Sequence, residues 1–168
     1  YKRQKEDGVT VLEIGEDVWG LKEFFHNDID ELVESFTSAQ REIAPEIELR
    51  LQIGLSRHCP ISYLEDCLSY FWGNKNFYSI DLYGDEFAQP IENFKGIYRR
   101  AKKEGLRLKA HVGEWGTAKD IRTAVEELEL DEVQHGIAAA GDESVIRFLA
   151  ENKIRLNITP TSNVLLGR

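Results

Sequence analysis

An alternation of short apolar runs with amphipathic segments is the sequence feature that most restricts the fold of this chain. Strands are predicted at residues 9–14, 47–55, 77–83, 106–111, 133–135 and 154–158. A segment with helical spacing of apolar residues follows each of these runs except the last. This alternation predicts an α/β fold in which parallel strands are joined by right-handed helical crossovers.

Capping residues and helix breakers mark where the predicted helices begin and end. The predicted helix starts are Asn27 or Asp28, Pro60, Pro90, Thr117 and Asp142. Pro45 is expected to end the first long helix, and Gly105 is expected to end the helix that precedes the fourth strand. The chain therefore divides into repeated strand–helix units with short connections.

Among parallel α/β folds, the sequence favours a barrel over a dinucleotide-binding sheet. The first predicted strand is not followed by the Gly-x-Gly-x-x-Gly sequence that marks a dinucleotide-binding fold. A complete TIM (β/α)8 barrel takes about 250 residues, whereas this chain has 168. We therefore expect a partial TIM (β/α)8 barrel of about six parallel strands alternating with helices, as one incomplete domain over residues 1–168.

Composition restricts the partners and the compartment. A formal net charge of −9 and a pI near 5.0 oppose binding to nucleic acid. Cys59 and Cys67 form no Cys-x-x-Cys pair, so neither a disulfide framework nor a cysteine zinc site is predicted. No apolar run is long enough to span a bilayer. These features predict a cytoplasmic protein with a small-molecule substrate and no membrane contact.

Polar motifs follow three successive predicted strands near the end of the chain. Residues 111–114 read HVGE, residues 134–136 read QHG, and residues 160–163 read PTSN. Active sites of parallel barrels lie at the carboxyl ends of the strands, so His111, Glu114 and His135 are expected to face one pocket. Gly113 allows the sharp turn that directs Glu114 over the mouth of the barrel.

These motifs, with others earlier in the chain, resemble the zinc-dependent adenosine deaminase family of the amidohydrolase superfamily. The similar stretches are DGV at 7–9, SRH at 56–58, IDLYGDE at 80–86, HVGE at 111–114, HG at 135–136 and TPTSN at 159–163. The resemblance extends over the length of the chain, and the order of the motifs is more specific than any one of them. It identifies the chain as a member of that family.

The resemblance implies an aminohydrolase that converts adenosine, or a related aminopurine, to the 6-oxo product and ammonia. It also implies a Zn²⁺ cofactor, which lowers the pKa of a bound water to about 7. His111 would be a metal ligand. Glu114 would donate a proton to the purine N1, and His135 would orient the zinc-bound hydroxide.

The remaining implied roles concern substrate binding and support. Gly84 would offer its backbone N–H to a ring nitrogen of the substrate, because the missing side chain lets the base approach. Asp81 and Asn163 would support the catalytic groups through hydrogen bonds. Thr159 stands where the family has cysteine, and Gln134 stands where it has glycine. Such differences can alter substrate choice, so the resemblance implies deamination of an aminopurine without specifying adenosine.

Two parts of the family pattern are absent from the sequence. The His-x-His pair of the first barrel strand and the Asp-Asp pair of the eighth do not occur, which removes three of the four expected metal ligands. The chain is therefore expected to be a fragment with strands two to seven of eight, inactive alone and able to self-associate through open sheet edges. Two alternatives stay open: a non-catalytic barrel used for binding or assembly, and an amidohydrolase with a non-purine substrate.

Overall fold

The structure, a computed structural model, describes residues 1–167, and within them six parallel strands form one sheet. The strands are β1 (Val11–Asp17), β2 (Glu48–Ser56), β3 (Phe77–Tyr83), β4 (Arg107–Val112), β5 (Glu132–His135) and β6 (Arg155–Asn157). Each strand pairs in parallel with its neighbours in sequence, so the sheet order is β1-β2-β3-β4-β5-β6. The sheet is curled into part of a TIM barrel, which confirms the predicted fold class.

Helices connect the strands, as the sequence pattern predicts, and two further short helices lie before the first strand and after the last. They are α1 (Lys2–Glu6), α2 (Gly20–Phe25), α3 (Ile29–Ile43), α4 (Ile61–Leu68), α5 (Lys95–Glu104), α6 (Ala118–Leu128), α7 (Glu143–Glu151) and α8 (Pro160–Leu165). Two 3-10 turns cover Ile91–Phe94 and Ile137–Gly141. None of the helices in residues 1–167 has the length and apolar character needed to cross a membrane.

The predicted helix boundaries agree with the observed caps. The Asp28 carboxylate accepts hydrogen bonds from two backbone N–H groups at the start of α3. Thr117 and Asp120 form a reciprocal capping box at the start of α6. Gly105 ends α5 in the left-handed conformation, with a φ of 83°. Local capping chemistry therefore marks these three helix ends.

The sequence prediction was wrong about several element boundaries. β1 begins at Val11 and continues to Asp17, because its pairing with β2 extends past the apolar run. β6 is only three residues long and covers the three residues that pair with β5. Pro90 opens a 3-10 turn before α5 begins. The short helices α1, α2 and α8 were not predicted, because short segments of this kind carry little periodic signal.

The two faces of the sheet differ in polarity. Side chains alternate along each strand, and one set belongs to the buried hydrophobic core: Ile53, Leu55, Ile80, Leu82, Leu108, Ala110 and Val133. The opposite set on the middle strands is polar and faces the interior of the barrel. It includes Asp81 and His111 near the strand ends, so one face holds the sheet together and the other carries the chemistry.

A buried lysine joins three strands on this polar face. Lys109 Nζ lies 2.5 Å from Glu13 Oε1 and 3.6 Å from Glu132 Oε2. The Ser79 hydroxyl also donates to Glu13, and Asn157 Nδ2 donates to Glu132 Oε2 at 3.0 Å. Burial alone would raise the pKa of Glu132, but the Asn157 hydrogen bond and the charge of Lys109 together lower it below the usual value. This network fixes the strands one layer beneath His111.

Candidate active site

The structure brings His111, Glu114 and His135 together at the carboxyl ends of β4 and β5. His135 Nε2 lies 3.5 Å from Glu114 Oε2, and the two imidazole centroids are 5.2 Å apart. Glu114 and His135 are largely buried, whereas the side chain of His111 is 30 % exposed. One carboxyl and two imidazoles are therefore clustered, and both kinds of group can take part in acid–base chemistry.

Left-handed backbone conformations hold this cluster in place. Gly113 has a φ of 70°, and a Cβ atom there would lie 2.4 Å from Ile121 Cδ1. His135 also has a positive φ of 65°, which is uncommon for a residue with a side chain. Such strained residues concentrate at functional sites, where the surrounding structure over-determines them. Glu129 and Lys153 have a similar positive φ away from this cluster, so the conformation of His135 by itself does not assign it a role.

Two side chains contact one ring nitrogen of His135. Asn163 Nδ2 lies 3.3 Å from His135 Nδ1, and the Thr159 hydroxyl lies 2.9 Å from the same nitrogen. The Thr159 hydroxyl also donates to Asn163 Oδ1 at 3.2 Å, so the donor and acceptor roles at Nδ1 depend on the tautomer of the ring, but in either tautomer these contacts occupy Nδ1 and leave Nε2. That nitrogen faces Glu114. Asn163 thus contacts His135 directly, and Thr159 is a partner that the sequence did not reveal.

Asp81 lies beside His111 on the polar face. His111 Nε2 is 3.2 Å from Asp81 Oδ2, and Gln52 Nε2 donates to the same oxygen at 3.2 Å. Asp81 is 3 % exposed, and its Oδ1 atom has no hydrogen-bond partner among the described residues. A buried carboxylate oxygen without a partner is costly. The arrangement therefore leaves one oxygen of Asp81 available to a ligand or a missing group.

Gly84 follows β3 and borders a cavity of about 400 Å³. The cavity is lined by Gly84, Asp85, Phe87, His111, Glu114 and Trp115. Its volume is in the range of small-molecule sites. Gly84 has a φ of 102°, and a Cβ there would lie 3.2 Å from the ring of His58. A separate apolar groove of about 490 Å³ lies beside β1, where Glu16 is the only titratable carboxyl in its lining, so we do not assign the chemistry to it.

The described residues do not complete a zinc site. Catalytic zinc takes about three protein ligands, but no group of three His, Cys, Asp or Glu side chains in residues 1–167 is arranged to hold a metal ion. His111 and Asp81 supply one imidazole and one carboxylate, and they contact each other. The predicted metal ligand is thus in place at a strand end, but the donor set around it does not fit zinc.

One buried carboxylate near the cluster was given no role by the sequence. Glu86 accepts hydrogen bonds at 2.8 Å from the backbone N–H groups of Gly113, Glu114 and Trp115. The motif at residues 80–86 contains Glu86, but a carboxylate in a loop gives no sign of which backbone it will contact. Only the three-dimensional structure shows that it holds the loop that carries Glu114.

The fold and the site define a sector of a (β/α) barrel with an acid–base cluster at the carboxyl ends of its strands. A family model for adenosine deaminase matches residues 20–168. A protein of Treponema pallidum, named provisionally as an adenosine/adenine deaminase, is 40 % identical over 161 residues, which cover 96 % of this chain and 54 % of that protein. The chain belongs to the adenosine deaminase family, and it spans about half the length of this relative.

Solved structures agree with the fold. The chain superimposes on an adenine deaminase from Arthrobacter aurescens with a TM-score of 0.81 at 24 % identity, covering 97 % of this chain and 50 % of the other. It is also similar to an amidohydrolase from Burkholderia ambifaria solved with bound zinc, with a TM-score of 0.78, 23 % identity, and 92 % and 44 % coverage. At these identities the likeness establishes the partial barrel alone.

Proposed function

We propose that this chain provides one sector of the active site of an aminohydrolase that deaminates adenosine, adenine or a closely related aminopurine. The proposal rests chiefly on the clustering of Glu114, His111 and His135, in a chain that belongs to the adenosine deaminase family. The name of the Treponema relative supports an aminopurine substrate without selecting between the free base and the nucleoside.

Glu114 and His135 are suited to the proton transfers of this reaction. Water adds its oxygen to the carbon that bears the amino group, one proton of the water passes to His135, and Glu114 protonates the adjacent ring nitrogen so that the adduct is not an anion. The second proton of the water then passes to the amino group, the C–N bond breaks, and ammonia leaves. The proton on His135 returns to Glu114, whose Oε2 lies 3.5 Å from His135 Nε2. Asn163 holds the ring of His135, and Gly84 offers its N–H to the purine.

We propose that residues 1–168 form one incomplete barrel domain of a longer protein, called here the complete protein. The support is the coverage of about half of the similar proteins and the partly curled sheet. In the complete protein, His111 would be one zinc ligand and the other ligands would come from outside this chain. The chain alone is therefore expected to hold zinc weakly or not at all and to be inactive.

The test is a comparison of Glu114→Gln with Glu151→Gln in the complete protein. Loss of a general acid lowers turnover by about 10²–10⁴-fold, so the turnover of adenine or adenosine by Glu114→Gln should be lower by that factor. Glu151 is an exposed carboxyl at the end of α7 and is the matched control. Equal turnover in the two variants, or no deamination of any aminopurine by the unaltered protein, would contradict the proposal.

A non-catalytic barrel used for binding or assembly is the second candidate. It is favoured by one observation, the lack of a three-ligand metal cluster among residues 1–167. Zinc binding with turnover in the complete protein would remove it. An amidohydrolase acting on a non-purine substrate is the remaining alternative, and it would be favoured if the complete protein deaminated no aminopurine in the same assay.

We also propose self-association through the sheet edges and a cytoplasmic location. In the described part of the chain, β1 pairs only with β2 and β6 only with β5, so each has an unpaired side that favours strand addition. Two free cysteines, Cys59 and Cys67, are in keeping with a reducing compartment. Light scattering over a range of concentrations tests the first proposal, since a monomer at every concentration would contradict it.

A further inference from the structure

Glu86 holds the loop after β4 through both oxygens of its carboxylate. Oε2 accepts the N–H of Gly113, and Oε1 accepts the N–H groups of Glu114 and Trp115, each at 2.8 Å. Three successive backbone N–H groups around one anion form a nest, which is a recurring anion-binding geometry in proteins. Here the anion is a side chain of the same protein, from the loop after β3.

The loop encloses this carboxylate closely. Glu86 is 6 % exposed, and a Cβ atom on Gly116 would lie 2.7 Å from Glu86 Oε2. A buried carboxylate is stable only when hydrogen bonds or charges compensate it. The three N–H groups supply that compensation together with the charge of the buried Arg57, so movement of the loop away from Glu86 would remove hydrogen bonds from a buried carboxylate. The position of the loop and the burial of Glu86 therefore depend on each other.

A second set of contacts fixes the loop from which Glu86 projects. Arg57 Nε donates to the Gln89 backbone oxygen at 3.0 Å, and Gln89 Nε2 donates to the backbone oxygens of Arg57 and Cys59 at 2.7 and 2.9 Å. The loop after β2 thus anchors the loop after β3. Through its hydrogen bonds to the backbone of residues 113–115, Glu86 connects this anchored loop to the loop after β4, which carries Glu114.

We propose that Glu86 is the positioning residue that presets Glu114 for proton transfer. The inference rests on the proposed function for its catalytic part. Glu86 lines no part of the cavity beside Gly84 and His111, so it acts through the backbone of residue 114 rather than on the substrate. The backbone N–H groups of Glu114 and its two neighbours are all hydrogen-bonded to Glu86, so the backbone that carries the Glu114 carboxyl is fixed before substrate binds. Little conformational entropy then has to be lost to place that carboxyl for proton transfer.

The first experiment measures amide hydrogen exchange at residues 113–115 by NMR in this chain. The variants are Glu86→Gln and, as a control with the same charge change, Glu92→Gln, whose side chain is exposed. Glutamine keeps the shape of Glu86 but places an NH₂ group where one carboxylate oxygen accepts, so at least one of the three amides loses its partner. We expect exchange at that amide to rise about 10- to 100-fold, as loss of a hydrogen bond to a charged group implies. Amides of Ile80 and Leu108 in the core should be unchanged.

The second experiment measures kcat and KM for aminopurine deamination in the complete protein. Glu86→Gln should lower kcat about 10- to 100-fold, because small misplacement of a reacting group has effects of this size. KM should stay within about twofold, since the same residue does not line the cavity. Gly116→Ala is a second variant that perturbs the contact from the loop side, and it decides the question if Glu86→Gln fails to fold.

Each outcome distinguishes the inference from the proposed function. Unchanged exchange at residues 113–115 in Glu86→Gln overturns the positioning role, as does faster exchange with an unchanged kcat in an active enzyme. A rise in KM with unchanged kcat also overturns it, because Glu86 would then act in substrate binding. If the unaltered complete protein deaminates no aminopurine, the proposed function fails, whereas faster exchange in Glu86→Gln still supports the control of the loop by Glu86.

Discussion

Replacement of Lys109 by methionine is expected to destabilise the fold by about 3 kcal/mol. Methionine keeps the apolar length of the side chain but removes the ammonium that lies 2.5 Å from Glu13 Oε1 and 3.6 Å from Glu132 Oε2. Breaking a buried ion pair costs about 3–5 kcal/mol, because the partner is left without compensation. We expect the lower value, since the Glu13 side chain is 22 % exposed and Glu132 keeps its contacts with Arg107 and Asn157.

Thermal unfolding at pH 7 is the assay for Lys109→Met. A loss of about 3 kcal/mol corresponds to a fall in Tm of about 6–12 °C for a chain of this size. Lys103→Met, at an exposed lysine of α5, is the matched control and should change stability by less than about 0.5 kcal/mol. The double variant Lys109→Met, Glu13→Gln should recover a large part of the loss. A loss below about 1 kcal/mol, or no recovery in the double variant, would refute this reasoning.

Three further predictions concern local features. The pKa of Glu132 is lowered in the folded protein, so its carboxylate stabilises the fold above its unfolded pKa of about 4.3, and this contribution is lost as pH falls through the lower folded value. In Glu132→Gln, the free energy of unfolding from urea titrations should fall less steeply as the pH is lowered. An unchanged pH slope would count against this. Gly113→Ala should cost about 2–4 kcal/mol in urea unfolding, because of its positive φ and the contact with Ile121; a neutral variant would be inconsistent with the geometry. Asp142→Ala should cost about 1 kcal/mol by removing the cap of α7, and calorimetry showing no change would rule this out.

The architecture was predictable because local signals and the global fold agree. The apolar face of β3, with Ile80 and Leu82 in the core, is visible as alternation in the sequence, and Asp28 and Thr117 mark helix starts by their capping chemistry. The exact strand ends were not predictable. β1 extends to Asp17 because its neighbour supplies hydrogen bonds there, and pairing of this kind is invisible in one segment taken alone.

The members of the candidate site could be named from the sequence, but their contacts could not. His111, Glu114 and His135 follow predicted strands, so their convergence follows from the rule for parallel barrels. The links to Glu86 and Thr159 depend on which loops are neighbours in space. Lys109 was read only as part of a strand, because whether a lysine faces the barrel interior or solvent depends on the register of the sheet. Their roles in catalysis stay predictions.

The most direct test of the account compares zinc content and aminopurine deamination for this chain and for the complete protein, side by side. We predict stoichiometric zinc and release of ammonia from adenine or adenosine in the complete protein, with neither in this chain. Complete protein that binds no zinc and releases no ammonia from any aminopurine would contradict the claim that His111, Glu114 and His135 belong to a deaminase active site.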